Sequence, residues 1–254
     1  MPELPEVEVV RRQLCAHIIG KTIREVAVHH EKTPGHDPQF REKLRGLTIA
    51  DIDRVGKLLI VSFAGETVRF LLAHLKMTGQ FFYVDPKHHV YGGGHSHTPI
   101  DTAELPGRHT RVSLTFSDGT ALHFNDMRLF GYTKVANRAT MELARSTFGP
   151  EPIDPNFDIE RFVAQVRKRK TPIKAALLDQ SFIAGLGNIY VDEALWRVGI
   201  RPTRRADRLT KREAAALAGA AGAVMNESIA VGGTTFQHFS DTGGENGNFT
   251  DYLQ

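Results

Sequence analysis

The chain changes its hydrophobic period once along its length, and that change restricts the folds open to it. From Thr22 to Tyr132 apolar residues come in short runs: Ile23-Arg-Glu-Val-Ala-Val, Leu58-Leu-Ile-Val-Ser-Phe, Thr67-Val-Arg-Phe-Leu-Leu, Val112-Ser-Leu-Thr-Phe and Ala121-Leu-His-Phe. Ser117-Asp-Gly-Thr between the last two reads as a hairpin turn, and short strands joined by turns predict a β-sandwich or barrel. After Gly149-Pro150-Glu151-Pro152 helical patterns take over and continue to about Val231. Ahead of the strands, Val7, Val10, Leu14 and Ile18 recur at helical spacing between Pro5 and Gly20, which predicts one amphipathic helix. A length of 254 residues suits two domains. The fold class is therefore α+β: an N-terminal β-sandwich or barrel with an N-terminal helix over 1–135, a linker over 136–155, and a helical domain over 156–236. Residues 237–254 read as a flexible end segment, and the Gly-, Pro- and His-rich stretch from Asp85 to Gly107 as a long mobile loop.

Composition narrows the function classes. No apolar stretch reaches the roughly 18 residues of a spanning helix, and no charged-then-apolar leader precedes a cleavage site, so a cytoplasmic protein with no membrane partner is expected. Cys15 is the single cysteine, which excludes an internal disulfide and any zinc site built from several thiolates. Its place on the apolar side of the first helix suggests packing. His88, His89, His95 and His97 fall at spacings that fit no standard metal site. Net charge is only +3, but Arg161–Lys174 holds six basic and no acidic residues, and Arg197–Arg212 holds seven basic and one acidic. These two segments carry +12 between them, leaving −9 on the rest. A solvated helical face would explain either run alone, whereas two runs flanking a glycine turn favour a polyanion such as nucleic acid.

Two short patterns carry chemistry. Met1 precedes a small residue and is of the kind commonly trimmed, which would leave Pro2 with a free secondary amine next to the Glu3 carboxyl. A terminal amine has a pKa near about 8, well below lysine, so it is partly unprotonated at neutral pH and can form an iminium with an electrophilic carbon. The bland alternative is that Pro2 and Pro5 only start a helix. In Gly185-Leu-Gly-Asn188, two glycines before a helix start let a backbone approach a ligand and offer N–H groups to a phosphate, while Asn188 suits a helix cap.

The strings MPELPEVEVVRR, HLKMTG, FNDMRLFGY, LLDQSFIAGLGNIYVDEALW and GGTTF occur in this order and span nearly the whole chain. In that ordered set the chain resembles formamidopyrimidine-DNA glycosylases. The resemblance implies a β-sandwich joined to a helix-two-turn-helix domain, with damaged double-stranded DNA held between them by a monomer. It implies excision of oxidised purines, 8-oxoguanine and ring-opened guanine among them, through a Schiff base, followed by cleavage at the abasic site. Position by position, Pro2 is similar to the nucleophile, Glu3 to the acid that protonates the sugar ring oxygen, Lys57 to the lysine of the elimination step, and Glu6 to a supporting acidic residue. Met77, Arg128 and Phe130 resemble the trio that fills the gap left by the extruded base. His74, His109, Arg169 and Asn188 resemble DNA contacts, Lys174 a residue near the damaged base, and Gly232–Phe249 the loop that caps the lesion.

One departure stands out. The family continues into a β-hairpin with four zinc-binding cysteines and a DNA-gripping arginine, which this sequence does not contain, so no cofactor is identifiable in the chain. Two other readings share some of these residues: an endonuclease VIII-like glycosylase for oxidised pyrimidines, and a non-catalytic damaged-DNA-binding remnant. Leu4 with the Met77, Arg128 and Phe130 trio favours the purine branch, and the joint presence of Pro2, Glu3, Lys57 and Arg128 favours an enzyme.

Overall fold

A computed structural model describes residues 1–65, 69–95, 105–233 and 239–240, for 92–95 and 239–240 the backbone alone. Among the described residues, helix α1 (Leu4–Ile18) is followed by nine strands, a helical half and a tenth strand. The strands are β1 (Ile23–Val28), β2 (Ile49–Val55), β3 (Leu58–Phe63), β4 (Arg69–His74), β5 (Gly79–Val84), β6 (Val90–His95), β7 (Thr110–Phe116), β8 (Ala121–Asp126), β9 (Tyr132–Asn137) and β10 (Phe239–Ser240). A short helix α2 (Phe40–Leu44) lies between β1 and β2, and the later helices are α3 (Arg138–Ser146), α4 (Ile159–Val166), α5 (Ile173–Leu178), α6 (Asn188–Arg197) and α7 (Lys211–Ala230).

The strands form two antiparallel sheets, β1-β7-β8-β5-β6-β10 and β2-β3-β4-β9. Their inner faces meet in one core, to which β3 gives Leu59, Val61 and Phe63, β4 gives Leu71 and Ala73, and the larger sheet gives Phe81, Leu114, Phe116 and Phe124. The run Leu58-Leu-Ile-Val is continuous because β3 is buried on both faces. Leu58 and Ile60 point the other way, into a smaller cluster with Leu72 and Met141. Met141 belongs to α3, so the stretch expected as a linker contains a helix, capped by Asn137, whose side chain accepts from the Thr140 N–H at 2.8 Å. Helix α3 has few apolar residues, and its stability comes from packing Met141 against the outer face of the smaller sheet.

Within the Asp85–Gly107 stretch, the part up to His95 is more ordered than its composition predicts. Val90–His95 is a strand paired with β5 from Val84↔Val90 to Gln80↔Gly94, and β10 pairs on its other side. Glycines that weaken an isolated strand are held by pairing with β5 along their length, and Gly94 with β10 as well. Residues 96–104, with His97, lie outside the described residues, as does most of the segment expected to cap the lesion. The Ser117–Thr120 turn forms as expected: Gly119 has φ +86°, and the Asp118 carboxylate accepts from the Thr120 N–H at 3.0 Å.

Helix α1 joins the two halves. Val7, Val10, Leu14 and Ile18 face the sandwich core, as their spacing predicts, whereas Leu4 belongs to the core of the helical half with Ile183, Leu186, Tyr190 and Leu195. The first turn of α1 is thus planted in one domain and its remainder in the other. Arg54 supports this junction. Its guanidinium bonds the Glu151 carboxylate through two nitrogens at 2.8 and 2.9 Å and Glu8 at 3.1 Å, and Glu151 also accepts from the Gly56 N–H at 2.6 Å. Burial would raise the Glu8 carboxyl, but hydrogen bonds from Arg11, Arg12 and Arg54 bring it down to about 2.

Candidate active site and nucleic-acid interface

The turn between α5 and α6 receives the start of the chain. Gly185 has φ +95°, and a Cβ there would stand 2.2 Å from the Leu4 side chain. A Cβ on Gly187 would stand 2.3 Å from the Glu3 carboxyl carbon. The absent side chains are filled by residues 3 and 4, and the Leu4 N–H donates to the Gly185 carbonyl at 3.1 Å. The Glu3 carboxylate then takes the N-terminus of α6, accepting from the N–H groups of Gly187 at 2.6 Å, Ile189 at 3.0 Å and Tyr190 at 3.5 Å. The anion expected at this helix start was a phosphate. The chain's own carboxylate fills the place, because a helix N-terminus favours any anion and Glu3 is delivered to it by α1. Asn188 is exposed as the first residue of α6, and Gly187 occupies the capping position, so Asn188 does not cap the helix.

Around this anchor lies a cleft of about 340 Å³ whose walls include Met1, Glu3, Lys57, His74, Lys76 and Asn188. Lys57 follows the tight Gly56 turn between β2 and β3; it is 4% exposed and donates from Nζ to the Leu186 carbonyl at 2.9 Å. Burial lowers its pKa, against the opposing pull of Glu3 and Glu6. Burial has the contrary effect on Glu3 and pushes its carboxyl up to about 7, with Glu6 adding to the rise and Lys57 and the Ile189 and Gly187 N–H groups restraining it. The site thus holds an acid that is easily protonated and an amine that is easily deprotonated, each displaced toward neutrality by desolvation. The amino group of Met1 is likewise lowered by burial, against Glu3 and Glu6. Pro2 is buried, with its nitrogen in the peptide bond to Met1.

Glu6 sits one helical turn on. Its carboxylate accepts from the Glu3 N–H at 2.8 Å and from the Tyr190 hydroxyl, which also meets Ser228 Oγ at 2.6 Å. His74 ends β4, and its Nδ1 accepts from the Lys76 N–H at 3.0 Å. Burial, with the charges of Lys76 and Lys57, brings His74 down to about 3, so it enters the cleft as a neutral ring.

Met77, Arg128 and Phe130 lie on two loops at one end of the sandwich. The chain leaves the smaller sheet after β4 to enter the larger at β5, and returns from β8 to β9. Because β4 pairs with β9 up to His74↔Tyr132 and β5 with β8 up to Gly79↔Asp126, the two crossings are neighbours. Phe130 is 49% exposed, and the Arg128 guanidinium lies 4.7 Å from its ring centre. His109 is close by in the chain's path, its carbonyl accepting from the Asp126 N–H at 2.9 Å, and its ring is lowered by burial and by Arg111 and Arg108.

The helical half supplies Arg169 and Lys174, but neither lines the cleft. Arg169 pairs with Asp179 at 2.8 Å and lies 4.2 Å from the Phe182 ring centre, and Lys174 pairs with Asp192 at 2.7 Å. Pairing also reduces the second basic run: Arg197 bonds Glu193 and Glu227, Arg204 bonds Glu213, and Arg205 bonds Asp207. A count of charges within the run includes Asp207 but misses Glu193, Glu213 and Glu227, which lie outside it in the chain.

Several residues of the site escaped the sequence reading. Lys76 lines the cleft from a loop position with φ +52°. Gln180 holds the glycine turn, its Oε1 accepting from the Gly185 N–H at 2.9 Å and its Nε2 donating to the Leu186 carbonyl at 2.8 Å. Gln180 and Tyr190 stand in LLDQSFIAGLGNIYVDEALW and Lys76 in HLKMTG, so their neighbourhoods were the available signal; Ser228 carried none. The residues present do not fit a zinc site. Cys15 packs partly buried against the sandwich core with Sγ 3.7 Å from the Ile52 carbonyl, and among the described residues no three His, Cys, Asp or Glu side chains are grouped to hold a metal ion. His89 is instead paired with Asp85 at 2.9 Å. Among the described residues no helix is long and apolar enough to cross a membrane.

Comparison with known proteins gives the same picture over the whole chain. Residues 1–133 match the model of the formamidopyrimidine-DNA glycosylase N-terminal domain, and residues 148–240 that of its H2TH domain. A formamidopyrimidine-DNA glycosylase of Exiguobacterium sp. is 40% identical over all of this chain and 87% of its own length, and one of Mycobacterium avium is 38% identical over 98% and 85%. Among solved structures, Lactococcus lactis Fpg bound to DNA containing an abasic site superposes with a TM-score of 0.84 at 29% identity, covering 99% of this chain and 87% of that one. The same protein bound to DNA with N7-benzyl-Fapy-dG gives 0.83 at 30% identity. With its sandwich, its glycine turn and its buried N-terminal carboxylate in one continuous match, the chain belongs to the formamidopyrimidine-DNA glycosylase family.

Proposed function

We propose that the cleft around Glu3 and Lys57 excises oxidised purines, 8-oxoguanine and formamidopyrimidines, from double-stranded DNA and then cleaves the abasic strand, as a bifunctional DNA glycosylase and lyase of base excision repair. The observation that carries this reading is the burial of a carboxyl and an amine beside the start of the chain, where each is shifted toward neutrality. Removal of Met1 converts the Pro2 nitrogen from an amide to a secondary amine. That nitrogen attacks C1′ of the damaged nucleotide as the base departs, and Glu3 gives its proton to the sugar ring oxygen, opening the ring to an iminium. The ionised Glu3 left behind is stabilised by the N–H groups of α6, so the helix start favours the product of proton transfer while burial favours the reactant. Such opposition keeps the group near neutral pKa, where a general acid works best. The iminium acidifies the neighbouring C2′–H; loss of that proton expels the 3′ phosphate by elimination, with Lys57 as the assisting amine and Glu6 fixing Glu3 through its backbone.

Base extrusion leaves a gap whose unstacking costs a few kcal/mol. Met77 and Phe130 supply apolar wedge surface for that gap, and Arg128 hydrogen bonds to the orphaned base. His74, His109, Arg169 and Asn188 are assigned to the DNA backbone, and Lys174 to the vicinity of the lesion. The protein acts as a monomer in the cytoplasm, on DNA. The test is borohydride trapping on a duplex containing 8-oxoguanine: protein beginning at Pro2 yields a covalent adduct mapped to that residue, and protein retaining Met1 yields none. Absence of adduct from folded, processed protein refutes the nucleophile. Faster cleavage of thymine glycol than of 8-oxoguanine duplexes would transfer the assignment to oxidised pyrimidines.

A further inference from the structure

Met77 stands on one corner loop and Arg128 and Phe130 on the other, and a single buried carboxylate ties the two loops together. Asp126, at the end of β8, is 0% exposed. It accepts from the Thr78 hydroxyl on the first loop, and from the N–H groups of Arg128 at 3.2 Å and Gly131 at 2.7 Å on the second. Thr78 Oγ1 in turn accepts from the Arg128 N–H at 3.1 Å. The turn so held has Leu129 at φ +57°, a conformation that L side chains rarely adopt and that neighbouring bonds must impose. It also leaves no room for a side chain on Gly131, where a Cβ would stand 2.8 Å from the Phe124 ring and 3.1 Å from the carboxylate. Thr78 and Asp126 lie inside the same strings as the trio, yet neither reaches the cleft.

We propose that Asp126 is the positioning residue of the void-filling trio, with Thr78 as its coupling to the Met77 loop. This rests on the reading of Met77, Arg128 and Phe130 as gap fillers. A wedge acts only if its parts enter the stack together, because the gap is open for as long as the base is out. A carboxylate that receives three donors from both loops fixes their spacing before DNA arrives, so no ordering remains to be done on binding. An amide is a poor substitute, since one of its two ends would point a donor at a donor.

Two nearly isosteric changes test this, Asp126→Asn and Thr78→Val. Each is measured for single-turnover excision of 8-oxoguanine from a duplex, for borohydride trapping on a single-stranded abasic oligonucleotide, and for fluorescence of 2-aminopurine placed opposite the lesion. The expected result is a fall of about 100-fold in duplex excision for Asp126→Asn, the scale of a misplaced contact remote from the bond being broken. Single-strand trapping, which has no opposite strand to wedge, stays within about threefold, and the fluorescence change on binding is lost. Thr78→Val follows the same pattern to a lesser degree. Equal losses in duplex excision and single-strand trapping would overturn the proposal in favour of a role in folding alone. Unchanged duplex excision in both variants, with Met77→Ala and Phe130→Ala impaired, would overturn it while leaving the trio intact. Unchanged duplex excision in Met77→Ala and Phe130→Ala would remove the reading of the trio itself.

Discussion

Replacing Glu3 by Gln should remove a pH-dependent part of the stability and expose how the acid is tuned. Burial, then the Glu6 charge, raise the Glu3 carboxyl from 4.5 to about 7, against Lys57 and the N–H groups of Ile189 and Gly187. A folded-state pKa above the unfolded value means that the native protein holds the proton more tightly. The associated stability is complete below pH 4.5 and is lost as pH rises through about 7. At about 1.4 kcal/mol for each pKa unit, the loss across that window is about 3 kcal/mol. Gln cannot titrate, but its amide points an N–H at one of the donors of the helix start, a constant cost of about 1–3 kcal/mol. Urea unfolding of both proteins at several pH values between 4.5 and 8 separates the two effects, since the constant cost cancels in the comparison of slopes. The variant should be the less stable at pH 4.5, and the gap should narrow by about 3 kcal/mol toward pH 8. Parallel stability curves would refute the argument, because they would mean that Glu3 has the same proton affinity folded and unfolded. The same titration predicts that wild-type excision falls about tenfold per pH unit above 7, and that the variant loses about 10²–10⁴-fold of the rate below pH 7, a deficit that narrows as the wild-type acid ionises.

Gly187→Ala places a Cβ 2.3 Å from the Glu3 carboxyl carbon at φ −132°, a backbone angle that any residue adopts. Trapping on 8-oxoguanine duplex should therefore fall at least about 100-fold while circular dichroism stays unchanged, and normal trapping would mean that Glu3 need not occupy the helix start. Arg54→Ala leaves Glu151 and Glu8 without their shared partner at the domain junction and should cost about 3 kcal/mol in urea unfolding; a loss below about 1 kcal/mol would contradict the burial of that pair. Arg169→Ala breaks an ion pair that is about one-third exposed, so stability should change by less than about 1 kcal/mol. Its effect belongs in DNA binding, where the slope of log affinity against log salt should flatten by about one unit if Arg169 meets a phosphate.

The sequence made some parts of this site legible and concealed others for physical reasons. The helix carrying Val7, Val10, Leu14 and Ile18 was readable because these four residues recur at helical spacing and all face the sandwich core. Helix α3 was not, because Met141 is the one fully buried apolar residue in nine and its pairing with the outer face of β3 is a tertiary event. Strand β6 was hidden by its glycines, which are poor strand formers until a neighbouring strand holds them. Glu3 and Gly187 were each noticed, but as two separate motifs 184 residues apart in the chain. The glycines were read as room for a ligand, whereas Leu4 and Glu3 occupy that room. Asp126 and Thr78 went unnoticed because a buried carboxylate that organises loops looks the same in sequence as one on a surface.

The sequence by itself determined the α+β class, the family, and the side chains available for chemistry at its start. These follow from local periods and from the order of short strings, both of which are one-dimensional. Only the tertiary structure decided that the anion at the α6 N-terminus is Glu3, that Leu4 belongs to the far domain's core, that basic residues of the second run are neutralised, and that two corner loops share one carboxylate. Each of those depends on which groups lose their water together, and desolvation is a property of neighbours in space rather than of neighbours along the chain.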